Sequence, residues 1–153
     1  MKPTMLVSPP IMRPPIDKAL RRLELNSPGE VDSCDIDSGW DSAAFFWHLH
    51  DCGYRPRDCK RYQSLSLTFV EGACRWHTDP GFGIVACWLV HSENSLGDDA
   101  QLITRHGPLD MSQGDLCVFD SDHGHAWLSN AACVMVMATV TRQRSIHSLE
   151  VKQ

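Results

Sequence analysis

From residue 65 the chain alternates. Leu65, Leu67 and Phe69 are separated by Ser66 and Thr68. This period of two gives a strand one apolar and one polar face. Residues 84–90 form a continuous apolar run and predict a buried strand. Shorter strands are predicted over 101–105 and 116–119, and a long β-rich run covers 133–140. Turn signals separate them: Asp79-Pro80-Gly81, the polar stretch 94–99, His106-Gly107-Pro108 and Gln113-Gly114-Asp115. Upstream the period changes. Pro15 suits a first helical position, and Ile16, Leu20 and Leu23 follow at helical spacing. A second helix is better marked: Asp41 can cap it, Phe45, Leu49 and Cys52 form one stripe, and Gly53 can end it. Residues 1–14 are Pro-rich and read as extended, and 26–40 read as loop. Helices followed by roughly six to eight short strands predict a mainly β fold, a small antiparallel sandwich or barrel with the N-terminal helices packed on one sheet.

At 153 residues the chain fits a single domain with a real core. Residues 1–60 are expected to be an N-terminal extension with supporting helices, and 61–145 the β core. A net charge of −5 argues against nonspecific nucleic-acid binding. No run of about 18 apolar residues exists to span a membrane. Pro9, Pro10, Pro14 and Pro15 break up any apolar signal segment, so a cytoplasmic protein is expected. The seven cysteines form no CxxC pair, and Cys87 and Cys117 lie inside apolar strand patterns. They read as reduced, buried thiols.

Against this background two segments carry chemistry. In the first, His77 and Asp79 stand two residues apart, so on an extended backbone both point to one side. In the second, Gly114 and Asp115 precede an apolar strand ending at Phe119, and His123 and His125 follow. Two imidazoles and one carboxylate with open positions form the facial triad of non-haem Fe(II) oxygenases. An incidental histidine beside a surface turn at Asp79-Pro80-Gly81 would not explain the second segment. His48, His50, Cys52 and Cys59 fit no standard zinc spacing.

Phe69, Gly72, His77 and Asp79, then Gly114, Asp115, Phe119 and His125, resemble the motifs of the iron(II)- and 2-oxoglutarate-dependent oxygenases, closest to the prolyl-hydroxylase-like group. The resemblance covers roughly residues 62–142. It implies a double-stranded β-helix, or jelly-roll, core and Fe(II) held by His77, Asp79 and His125. His125 is chosen over His123 because the family places this ligand about six residues past the strand-ending Phe and before a small residue, here Ala126. The implied function is hydroxylation of an unidentified substrate with O2 and 2-oxoglutarate.

The family also holds the remote carboxylate of 2-oxoglutarate with a basic side chain on the last core strand. Arg142 takes that position here, Arg105 on an earlier strand is the alternative, and Arg75 and Arg144 are further options. A tight turn at 129–132 would set His125 opposite Val136 and leave Arg142 roughly 20 Å away, at ~3.3 Å per residue. Two other functions fit the same strands: a cupin-like metalloprotein using O2 without 2-oxoglutarate, and a non-catalytic β-sandwich binding or sensor module. A cupin's His-x-His motif is absent at His77-Thr78-Asp79.

Overall fold

The computed structural model describes residues 1–57, 65–93 and 100–143; Cys59, Arg144 and the turn at 94–99 lie outside them. The elements in chain order are β1 (Thr4–Leu6), α1 (Asp17–Leu23), β2 (Val31–Cys34), α2 (Ser42–Asp51), β3 (Tyr54–Pro56), β4 (Leu65–Ala73), β5 (Ile84–Ser92), β6 (Ala100–Thr104), β7 (Gly107–Met111), β8 (Leu116–Asp120) and β9 (His125–Arg142). Both predicted helices form. Asp41 caps α2 by accepting the amide of Ala44, and Phe45 and Leu49 are its buried stripe.

The strands run β1-β8-β5-β9-β4-β2, with β3 and β6 also on β9 and β7 on β6; every pairing is antiparallel. Three short strands come from the first sixty residues. β1 pairs with β8, β2 with β4 and β3 with β9. The segment 26–40, read as loop, therefore contains a strand. Its pattern is polar because only one of its edges is paired, and tertiary contact with β4 supplies the order.

The core lies on both faces of the sheet. On one face Leu67, Phe69, Trp88, Val134 and Val136 pack against Phe45, Leu49 and Ala19 of the helices. On the other Val85, Cys87, Leu89, Leu102, Cys117, Phe119, Trp127 and Met135 pack together. Burial on both faces explains why β5 is apolar without alternation.

β9 differs from the sequence expectation. No turn interrupts it at 129–132, and 18 residues continue as one strand. Its start pairs with β6 and the end of β4; its remainder pairs with β5 and β4. The register shifts between Val70 and Gly72 on β4 and between Leu89 and His91 on β5. Gly72 has φ +84° at the first shift, a conformation that glycine adopts without strain. A bulge, rather than a hairpin, thus redirects the strand.

Candidate metal centre

Past Ala73 the chain leaves β4 and runs beside the start of β9. Cys74 donates its amide to the Trp127 carbonyl. His77 and His125 form an antiparallel bridge, each amide donating to the other's carbonyl at 2.9 Å. The Asp79 amide donates to the Ser121 carbonyl, also at 2.9 Å. Residues 77–79 are therefore extended, and His77 and Asp79 face the same side as the spacing predicted.

The three side chains converge. His125 Nε2 lies 3.1 Å from Asp79 Oδ2, and His77 Nε2 lies 3.6 Å from the same oxygen. The potential ligand atoms all lie within 4.8 Å of one another, the sole such His/Cys/Asp/Glu group among the described residues. Both rings are oriented from behind. His77 Nδ1 donates to the Arg75 carbonyl at 2.6 Å, and His125 Nδ1 to the His123 carbonyl at 2.9 Å. With Nδ1 committed to a carbonyl, Nε2 is the nitrogen left to face an ion, the arrangement that supports a metal-ligating histidine.

Electrostatics agree with the geometry. The hydrogen bond from His125 holds the Asp79 carboxyl below its ordinary range, against the opposing effect of burial and with help from the charge of His77. Burial pulls the His125 imidazole down, but the bonds to Asp79 and to the His123 carbonyl outweigh it, so its pKa is raised. His125 is only 2% exposed, with the edge of its ring against Phe119. His77 and Asp79 are half-buried.

His123 points elsewhere: its Nδ1 lies 3.0 Å from Asp120 Oδ2 on the exposed side. Its carbonyl, not its ring, meets the site. His48 and Cys52 approach each other at 3.8 Å on α2, but His50 turns to Asp51.

A cavity of about 550 Å³ opens beside the three residues. Its wall includes Ser33, Ser66, Thr68, Met137 and Thr139, with Phe119 and Trp127 near His125. Among the described residues Arg75 is the one arginine on that wall. Arg142 stands opposite Tyr54 at the far end of β9, and Arg105 lies in the turn after β6 beside His106; neither lines the cavity. The sequence reading missed the hydroxyl wall. Ser66 and Thr68 were legible as the polar face of β4, and their short hydroxyls, rather than charges, were the signal that this face is enclosed. It also missed Asp122, whose Oδ1 accepts the amides of Gly81 and Gly83 and ties the turn after Asp79 to the loop before His125.

No protein-family model and no curated protein matches the chain. Solved structures do. A cupin-2 domain containing protein from Shewanella frigidimarina is 14% identical over 57% of this chain and 79% of that one, with a TM-score of 0.38. A Pseudomonas putida prolyl-4-hydroxylase is 16% identical over 85% of each chain, with a TM-score of 0.46. The ribosomal oxygenase YcfD of Escherichia coli is 12% identical over 98% of this chain, with a TM-score of 0.52. This chain spans only 50% of that oxygenase's length. At such identity the likeness is one of fold alone.

Proposed function

We propose that this protein is a non-haem Fe(II)-dependent oxygenase with a jelly-roll core, using O2 and 2-oxoglutarate to hydroxylate a substrate in the cytoplasm. The observation that carries the reading is the convergence of His77 Nε2, His125 Nε2 and Asp79 Oδ2, with both Nδ1 atoms held by carbonyls. Two neutral imidazoles and a carboxylate suit a divalent ion and leave coordination positions for ligands. Iron bound there supplies the oxygen activation that no side chain of the protein can provide. The protein's part is placement. The bridge between His77 and His125 sets their separation, Asp79 balances charge, and Phe119 and Trp127 keep one side dry. The hydroxyls of Ser33, Ser66, Thr68 and Thr139 offer hydrogen bonds to whatever occupies the cavity.

For the remote carboxylate of 2-oxoglutarate the anchor we favour is Arg75, by its place on the cavity wall; Arg142 and Arg105 hold the strand positions the resemblance implies but stand off that wall. A second reading follows from the same wall: apart from Arg75, the described lining offers no arginine or lysine, which favours a cupin-like metalloprotein working without 2-oxoglutarate. Fe(II) and then 2-oxoglutarate are added anaerobically to distinguish the two. A visible charge-transfer band after the second addition supports the first reading. Iron binding without that band supports the second, and no iron binding leaves a binding module.

A further inference from the structure

The inner face of the sheet carries a row of sulfur that the proposed oxygenase does not use. Along adjacent strands Met5 of β1 stands opposite Cys117 of β8, Cys117 opposite Cys87 of β5, and Cys87 opposite Met137 of β9. Directly opposed residues in an antiparallel ladder project to the same face, so their side chains adjoin. Two further sulfurs flank the middle pair. Cys87 Sγ lies 3.3 Å from Met135 Sδ, and Cys117 Sγ lies 3.6 Å from Met111 Sδ. The two cysteines are direct cross-strand partners, so their thiols adjoin. Cys87, Cys117, Met111 and Met135 are all 0% exposed.

Thiols and thioethers are weak hydrogen-bond partners, so this cluster gains little from pairing among its own members. Aliphatic side chains would pack the same space. What four adjoining sulfurs add is soft-ligand character, which selects monovalent copper over the harder ions that suit imidazole and carboxylate. The row also has an approach. Met137 is half-buried and lines the open cavity beside the metal triad, while Met5 lies exposed at the other edge. An ion handed from Met137 would reach Cys87 by crossing from one strand to the next.

We propose that Cys87 and Cys117, with Met135 and Met111, form a second metal site that takes a soft monovalent cation of the Cu(I) class. Binding replaces the two S–H protons, which pass to solvent, and no electron is transferred.

Metal-free protein is titrated anaerobically with Cu(I) against the chromophoric chelator bicinchoninate. Wild type is expected to withdraw one equivalent and develop ultraviolet thiolate-to-copper absorption. The Cys87→Ala/Cys117→Ala variant should lose the absorption and bind more than about 100-fold more weakly, beyond what a supporting residue contributes. Cys52→Ala and His77→Ala should match wild type; the latter separates this site from the Fe(II) triad, whichever way that proposal falls. Should the double variant fail to fold, Met135→Leu keeps the packing volume and is expected to weaken Cu(I) about tenfold. Folded wild type that withdraws no Cu(I) overturns the proposal. So does undiminished binding in the double variant or, where that is unfolded, in Met135→Leu.

Discussion

His125 is the residue on which the site turns, because it is buried, faces Asp79 with one nitrogen and is fixed by a carbonyl at the other. His77→Ala, Asp79→Ala and His125→Ala are each expected to weaken Fe(II) binding by more than about 100-fold, measured by anaerobic titration. His123→Ala should bind as wild type does, since that ring sits on Asp120. The His125 variant should also lower metal-free stability by about 1–3 kcal/mol, because it strands buried polar partners. Acidity acts in two directions. The raised His125 pKa contributes stability that is full below its ordinary value of 6.5 and is lost as pH rises through the folded value. The lowered Asp79 pKa contributes stability above its ordinary 3.8 that is lost as pH falls through the folded value. Without metal, thermal melts should therefore show this pair contributing most between those ordinary values. Metal binding must displace the His125 proton, so Fe(II) affinity should instead rise with pH across the range where the metal-free pair is weakening.

At the scale of elements the deciding piece is β9, which links the site to the sheet. The tight turn considered at 129–132 does not form: Ser129 pairs with Gly72 and Cys133 with Val70, and residues 130–132 are extra residues within β9. That irregularity falls opposite Gly72 on the neighbouring strand. Gly72→Ala would strain a φ of +84° and bring a Cβ to 3.3 Å from the Gly29 amide nitrogen. A loss of about 1–3 kcal/mol is expected by denaturant unfolding. The strands that were legible in the sequence are those with long apolar patterns, such as β4, β5 and β8. The short strands β1, β2, β3 and β7 were not, because pairing with a distant partner, not local pattern, defines them. The same distinction applies to the site. His77 and Asp79 could be placed by local spacing, whereas which arginine faces the cavity depends on how β9 and β6 sit in the whole sheet.

For the whole molecule the important division is between the two faces of the sheet. The helices and Phe69, Trp88 and Val136 fill one face, while the triad and its cavity lie toward the other. Leu49→Ala should cost about 2–5 kcal/mol of stability yet leave Fe(II) affinity of the folded protein unchanged, as seen by combining melts with titration. No helix among the described residues is long and apolar enough to cross a membrane. The paired amides of His77 and His125 have a consequence for dynamics. They join two stretches of chain that are far apart in sequence, and the side chains of the same two residues would grip one ion. An ion there acts as a clasp across a long loop, opposing the local opening that separates the stretches. Amide hydrogen exchange at His77, Asp79 and His125 should slow by the factor with which the metal is bound, while exchange in α1 should not change. The end of the sheet that carries the cavity would then be the part of the protein whose breathing is set by a bound metal.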